Sequence, residues 1–290
     1  MGYPGVVESP RILAIAGSDS SGGAGIQADI KTITMLGGYA MTAITAVTAQ
    51  NSIGVQEIQL LPGDLVLEQM ASCIEDIGVD AIKIGMLGSE EVVRCVAGGL
   101  VTAPEISARS VPGHSRKVLP PGLQRFPIVL DPVLVATSGA LLANTAIIDA
   151  MVARLFPLAT VLTPNLPELA TLTSTEPTNL SEMRDAALTL AQRHGFHVLA
   201  KGGHTQGHTI VDLLVAPDGH TLQFEGSRID TPHTHGTGCT LSSAIATFLG
   251  KGLALPEAVD RARLFVRSAL RAAPGYGAGH GPLGHALARG

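Results

Sequence analysis

The chain has 290 residues, of which 46% are hydrophobic and 15% charged, and its formal net charge is −5. This composition suffices for a large core, and the negative charge argues against a nucleic-acid surface or an anionic membrane as partner. The three cysteines form no CxxC pair, which argues against a disulfide framework or a structural zinc site and favours a reducing compartment. We expect a cytoplasmic protein with neither a signal peptide nor a membrane span.

Short apolar runs alternate with helical patterns along the whole chain. The segments that we predict as strands are 12–16, 40–47, 55–60, 81–84, 128–130, 161–162, 198–200 and the hairpin of 210–215 with 221–224. The predicted helices are 25–36, 64–77, 90–100, 142–155, 181–194, 239–249 and 256–272. Continuously apolar strands separated by helices predict one α/β domain over 1–290, with a mainly parallel sheet covered on both faces.

The segment 102–127 breaks this alternation. It contains five prolines and four basic residues, and its hydrophobic residues follow no period. A long insert of this kind in a compact domain is usually a mobile surface loop. We therefore predict a mobile loop here and assign it no chemistry.

Polar, glycine-rich segments follow several predicted strands, where parallel α/β sheets bind their ligands. The first, 17–29, joins the first strand to the first helix, and its glycines let the backbone approach a ligand closely. It lacks both the Walker ending and the dinucleotide-binding glycine spacing. The Asp29 carboxylate could accept a hydrogen bond from a ligand amine or hydroxyl, although a solvated helix residue is the simpler interpretation.

Later strand ends add further polar groups. Gln50 offers both a donor and an acceptor, as recognition of a heterocycle edge requires. The segment 83–87 is another transition from strand to loop. Asp131 and Glu168 could hold magnesium directly or through water, and Lys201 provides a cation suited to phosphate. Each signal alone is weak, but their order around one sheet edge is informative.

The turn Gly236-Thr237-Gly238 leads into an apolar helix with Cys239 at its entrance. The first N–H groups of a helix lack acceptors within it, and they meet the positive end of the helix dipole. This place therefore suits an anion, and we expect a thiol there to ionise more easily than usual. The alternative is an ordinary helix start with a buried, inert cysteine.

In this order, these segments resemble the ribokinase-like superfamily, and within it the hydroxymethylpyrimidine/phosphomethylpyrimidine kinases of thiamine biosynthesis. The resemblance extends from about residue 12 to residue 282 apart from 102–127, and it implies a three-layer α/β fold. It implies that Gly17, Asp29, Gln50 and Val133 contact the pyrimidine, with Met86 near it. It also implies that Asn165 and Glu168 serve magnesium and phosphate, that Lys201 and Thr237 lie along the nucleotide phosphates, and that residues 236–239 form an anion hole. Cys239 then stands where most related sugar kinases carry an aspartate base.

The resemblance implies ATP and Mg²⁺ as cofactors, and a homodimer. The implied reaction is phosphorylation of the hydroxymethyl group of 4-amino-5-hydroxymethyl-2-methylpyrimidine, followed by phosphorylation of its monophosphate. Thr137 stands where a lysine is common, which puts the second step in doubt. A pyridoxal kinase of the same branch is the alternative, although Gln50 favours an aminopyrimidine. A non-catalytic binding protein remains a further alternative, and the missing glycine fingerprint argues against a dinucleotide-dependent oxidoreductase.

Overall fold

We describe the protein from a computed structural model, which gives the structure of residues 9–107, 126–135, 142–204 and 207–288. The described strands are β1 Arg11–Ala16, β2 Tyr39–Ile44, β3 Ala46–Gln50, β4 Val55–Leu60, β5 Ala81–Ile84, β6 Ile128–Leu130, β7 Val161–Leu162, β8 His197–Ala200, β9 Thr209–Val215 and β10 Thr221–Ser227. The α-helices are α1 Gly25–Met35, α2 Gly63–Asp76, α3 Glu90–Ser107, α4 Thr145–Arg154, α5 Leu166–Thr173, α6 Leu180–His194, α7 Thr237–Gly250 and α8 Leu255–Arg271.

Eight strands form the central sheet in the order β10-β9-β8-β7-β6-β5-β1-β2. Strand pairing is parallel from β2 across to β8, whereas β9 and β10 add an antiparallel edge. The prediction of a mainly parallel sheet is therefore confirmed. The parallel strands all end at one edge of the sheet, which brings the polar segments that follow them together.

Two helical layers cover the sheet, because the side chains of each strand alternate between its faces. Leu13 and Ile15 of β1 belong to the core beneath α2, α3, α4 and α6. Their neighbours Ile12 and Ala14 belong to the core beneath α1, α7 and α8. Complete burial of an Ile or Leu side chain contributes roughly 1.5–3 kcal/mol, so both faces of the sheet stabilise the fold. This is the predicted three-layer architecture.

The predicted strand 40–47 proved to be two strands in two different sheets. The chain leaves the central sheet at Thr45, whose N–H donates to the Ala16 carbonyl at 3.1 Å and whose hydroxyl donates to the Met86 carbonyl at 2.7 Å. Beyond Thr45, β3 pairs with β4 in a separate antiparallel sheet. This break carries β3 towards the end of β1, where the Ser20 hydroxyl donates to the Gln50 carbonyl.

The insert predicted at 102–127 is shorter than the sequence suggested. Helix α3 continues to Ser107, so residues 102–107 are helical and the prediction is wrong there. At the other end, Phe126 is buried in the core. Residues 108–125 lie outside the described residues, as does Thr137, and the loop stays a prediction for that part. Helix α5 was not predicted.

Candidate active site

A cavity of about 590 Å³ opens at the carboxyl ends of the parallel strands. Twelve of the thirteen residues that the sequence indicated for the site lie in its wall. They are Gly17, Gln50, Met86, Asp131, Val133, Asn165, Glu168, Lys201, Gly236, Thr237, Gly238 and Cys239. The central sheet thus brings together residues that follow five of its strands, and the end of β3 and the start of α7 complete the site.

The turn before α7 has the geometry that an anion site requires. Gly236 adopts a left-handed conformation with φ of 84°, and a Cβ atom there would overlap the Gly23 carbonyl oxygen. The Thr237 hydroxyl donates to the Thr234 carbonyl at 2.6 Å, which fixes the turn. The N–H groups of Gly238 and Cys239 begin the helix and have no acceptor within it, so they are available to a ligand.

The Cys239 thiol does not ionise as easily as its position in the sequence suggested. The nearby Lys83 ammonium and a backbone hydrogen bond from Gly25 both favour the thiolate. The effect of burial is larger than theirs and raises the pKa of Cys239 to about 11. The prediction of a lowered pKa is therefore wrong. A helix start lowers the pKa of a thiol only where desolvation does not exceed the effect of the dipole.

Lys201 lies beside two carboxylates next to this turn. Its Nζ atom is 3.1 Å from Asp131 Oδ1 and 3.9 Å from Glu168 Oε2. Burial alone would lower the pKa of Lys201, but Asp131 and Glu168 together raise it. The pKa of Glu168 is raised to about 7, because burial and the charge of Asp131 outweigh the attraction of Lys201. The site therefore holds a permanent cation and a carboxyl that titrates near neutral pH.

The Asn-x-x-Glu sequence also has a local structural role. Asn165 precedes the first residue of α5 and accepts a hydrogen bond from the Glu168 N–H at 2.9 Å. Glu168 in turn accepts from the Asn165 N–H at 2.8 Å. This reciprocal capping satisfies two N–H groups at the helix start and orients both side chains at the cavity wall.

A divalent cation fits this site if waters and nucleotide phosphates supply most of its ligands. Within the described ranges, no three His, Cys, Asp or Glu side chains are grouped so as to enclose a metal. Lys201 is a single positive charge beside Asp131 and Glu168, so one negative charge remains for a cation when both carboxyls are ionised. Mg²⁺ commonly binds through one or two carboxylates, several waters and the phosphates of its nucleotide, and these residues fit that mode.

Asp29 is the exception among the predicted site residues. Its side chain is completely buried, and it is not part of the cavity wall. Lys83 and Ser243 donate to its carboxylate, at 2.9 and 2.7 Å respectively. These partners cover the carboxylate and keep Asp29 out of the cavity wall, so its predicted contact with the substrate stays a prediction that this arrangement does not favour. Lys83 borders the cavity, although its side chain is as fully buried as that of Asp29.

Three further residues line the cavity although their sequence context predicts no role for them, namely Asp19, Lys83 and His235. The sequence does mark their neighbourhood, because each of the three falls within or next to a segment that contains glycine. Nothing in their local sequence, however, showed that they would be paired and buried. Only contacts between distant segments distinguish such residues from solvated loop residues.

This fold and this site define a ribokinase-like small-molecule kinase. Residues 19–108 and 117–284 match the sequence profile of the phosphomethylpyrimidine kinase family. The chain belongs to that family.

Two curated relatives illustrate the relationship. The hydroxymethylpyrimidine/phosphomethylpyrimidine kinase of Streptomyces coelicolor is 42% identical over 285 residues, which cover 98% of this chain and 97% of the relative. The thiamine biosynthesis bifunctional protein ThiED of Geobacter sulfurreducens is 42% identical over 278 residues, or 96% of this chain. The chain spans only 52% of the length of that bifunctional relative.

Two solved structures share the fold. The pyridoxal kinase of Bacillus subtilis, solved as an ADP complex, matches with a TM-score of 0.81 and 32% identity, covering 97% of this chain and 98% of that one. The phosphomethylpyrimidine kinase of Clostridium difficile 630 matches with a TM-score of 0.72 and 34% identity, covering 89% of this chain and 98% of that one. In the part of the chain that the structure describes, no helix is long and apolar enough to cross a membrane.

Proposed function

We propose that this kinase transfers the γ-phosphoryl group of ATP to the hydroxymethyl group of 4-amino-5-hydroxymethyl-2-methylpyrimidine, and then to the resulting monophosphate. The observation that carries the proposal is that one cavity holds both a carboxamide, Gln50, and an N–H-rich turn beside the Lys201 ammonium. The names of the relatives in the family point to the same substrate pair.

The heterocycle would lie against Gly17, Gln50, Met86 and Val133. A Cβ atom on Gly17 would stand 3.0 Å from the Met86 Cε atom, so a larger residue would narrow the space beside that side chain. The Gln50 amide supplies an acceptor and a donor side by side, which match an exocyclic amine and its neighbouring ring nitrogen. A ligand that left these groups unpaired would lose about 1–3 kcal/mol for each.

The phosphates would lie against Lys201, Asn165, Thr237 and the N–H groups of Gly238 and Cys239. In phosphoryl transfer, catalysis consists mainly of positioning and of stabilising charge on the transferred group. The turn donors are fixed by the Gly236 conformation, so they need no rearrangement during the reaction. Cys239 is the proton acceptor that we assign to the alcohol. Only its thiolate form can take the proton, and because its pKa is raised to about 11, that form is a small fraction of the enzyme at neutral pH.

Magnesium would be held through water by Glu168 and Asp131 together with the nucleotide phosphates, and it would supply neutralising charge to those phosphates. Lys201 adds a fixed cation that does not depend on the metal. Glu168 is oriented for this role by the Asn165 cap.

An ATP-consumption assay tests this proposal with hydroxymethylpyrimidine, its monophosphate, pyridoxal and pyridoxine. We expect kcat/KM for hydroxymethylpyrimidine to exceed that for pyridoxal by about 10-fold or more, because the wrong ligand leaves part of the Gln50 amide unpaired. Equal or better turnover of pyridoxal would support the alternative, to which the structural likeness to pyridoxal kinases gives weight. If none of the four compounds leads to ATP consumption, only a binding role remains for the protein.

We also infer a cytoplasmic homodimer. Cys73, Cys95 and Cys239 are all free thiols, which suits a reducing compartment. The small β3–β4 sheet exposes Val47, Ile58 and Leu60, and a group of exposed apolar side chains of this kind suits an interface with a second copy. Sedimentation velocity tests the dimer, and a monomer at micromolar concentration would contradict it.

A further inference from the structure

Asp19 and His235 join the two glycine-rich segments of the site. His235 Nε2 lies 2.8 Å from Asp19 Oδ2, and both side chains are buried. Asp19 also accepts from the N–H groups of Gly23 and Ala24. The segments touch closely, because a Cβ atom on Gly23 would lie only 3.4 Å from His235 Cγ and would overlap the ring at Cδ2. The pair therefore holds the loop that contains Asp19, Gly23 and Ala24 against the turn that precedes α7.

The protonation of this pair follows from its partners. Burial opposes ionisation of Asp19, but the hydrogen bonds from His235, Ser21 and Ala24 lower its pKa to about 2. An ionised carboxylate only accepts hydrogen bonds. His235 Nε2 must therefore carry a hydrogen and donate it to Asp19, whatever the state of Nδ1.

This requirement decides how the Gln50 amide is oriented. Its nitrogen is placed 3.4 Å from His235 Nε2, which would set two donors against each other. On its other side, the Thr48 hydroxyl has a single hydrogen, which the Ser18 carbonyl accepts at 2.8 Å, so the Gln50 oxygen at 3.3 Å would face no donor. Exchanging the amide oxygen and nitrogen gives the Thr48 oxygen a donor and removes the clash of two donors at His235. The single Nε2 hydrogen is donated mainly to Asp19 at 2.8 Å and is shared with the Gln50 oxygen, at 3.4 Å, as the weaker branch of a three-centre hydrogen bond.

We propose that Asp19 and His235 are positioning residues that fix the Gln50 carboxamide with its oxygen towards His235 and its nitrogen towards Thr48. The order of acceptor and donor presented to the ligand is then set by the protein before binding. This order selects a heterocycle whose amine faces the Gln50 oxygen while its ring nitrogen faces the Gln50 nitrogen. The inference rests on the proposed function and adds the source of its specificity.

A double-mutant cycle on His235 and Gln50 tests the proposal, with KM and kcat measured for hydroxymethylpyrimidine and for pyridoxal. His235→Phe keeps a ring but loses the N–H donor, so we expect its KM for hydroxymethylpyrimidine to rise about 10-fold, within the range of direct couplings. In a Gln50→Ala background, the same substitution should change KM less than about 2-fold, because no amide remains to be oriented. His235→Gln places an N–H near the position of Nε2 and should restore most of the affinity.

Ser21→Ala is the matched control. The Ser21 hydroxyl donates to the other oxygen of Asp19 at 2.8 Å, and Ser21 is exposed and does not line the cavity. We expect KM to be unchanged in this variant. Affinity for a non-hydrolysable ATP analogue reports whether each variant is folded. If His235→Phe loses that affinity too, His235→Gln is compared with His235→Asn, whose amide is too short to reach Asp19.

Additive losses in the cycle, or equal effects of His235→Gln and His235→Asn, would show that His235 is only a packing residue and overturn the proposal. Non-additive losses with rescue by glutamine would support it. If the unmodified enzyme does not phosphorylate hydroxymethylpyrimidine, the proposed function fails first, and that result is distinct from failure of the positioning pair.

Discussion

Lys83 Nζ lies 3.0 and 2.9 Å from the two carboxylate oxygens of Asp29, and neither side chain has any exposed surface. Burial alone would lower the pKa of Lys83, but Asp29, Cys239 and Asp131 raise it. The pair connects strand β5 to helix α1, and Ser243 of α7 donates to the same carboxylate. A buried positive charge is thus held near Cys239 by a partner that does not line the cavity.

Lys83→Met should destabilise the protein by roughly 3–5 kcal/mol, because it leaves the Asp29 carboxylate buried and unpaired. Urea denaturation measures this loss. Arg261→Met is the control, since its ion pair with Glu257 is more than half exposed and should contribute only about 0.3–0.5 kcal/mol. Combining Lys83→Met with Asp29→Leu should recover much of the loss. A double variant no more stable than Lys83→Met would contradict this electrostatic explanation.

Cys239→Ala should slow phosphorylation of the alcohol by roughly 10²–10⁴-fold, the usual effect of removing a general base. The monophosphate should lose much less, because its attacking oxygen is already anionic. Since the pKa of Cys239 is raised to about 11, the thiolate fraction grows with pH throughout the neutral range. We therefore expect the single-turnover rate on the alcohol to rise from about pH 7 to pH 9, and this rise to vanish in Cys239→Ala.

Cys73→Ala is the control for that experiment, since burial also raises the pKa of Cys73 but the residue lies in α2, away from the cavity wall. It should leave both rates and the pH profile unchanged. Equal losses on alcohol and monophosphate in Cys239→Ala would instead favour a structural or anion-binding role for the thiol.

Glu168→Gln should raise the magnesium concentration needed for half-maximal activity while leaving pyrimidine affinity without nucleotide nearly unchanged. Glutamine retains an oxygen that can accept from the Asn165 N–H, so the helix cap should survive, and only the charge is removed. Magnesium titration and calorimetry with the pyrimidine measure the two effects. Lost pyrimidine binding with an unaltered metal requirement would mean that the two ends of the cavity are wrongly assigned.

Replacing residues 109–116 by a short Gly/Ser linker should preserve folding and most activity. The family profile aligns on both sides of this stretch but not across it, and a change in loop length alters closure entropy only slightly. Thermal unfolding and kcat/KM provide the test. A large fall in turnover with unchanged stability would show that the segment acts at the site.

The sequence by itself determined most of the strands of the sheet, and nearly all of the residues that it indicated for the site do line the cavity. Apolar runs specify buried strands locally, and parallel strands must end at one edge, so polar segments such as 83–87 and 163–168 had to meet there. Tertiary structure alone decided the charge states. Asp29 became a buried partner because Lys83, 54 positions away, faces it, and Asp19 is paired across 216 positions with His235. The same burial raised the pKa of Cys239, since desolvation depends on what packs around a group and no local pattern encodes it.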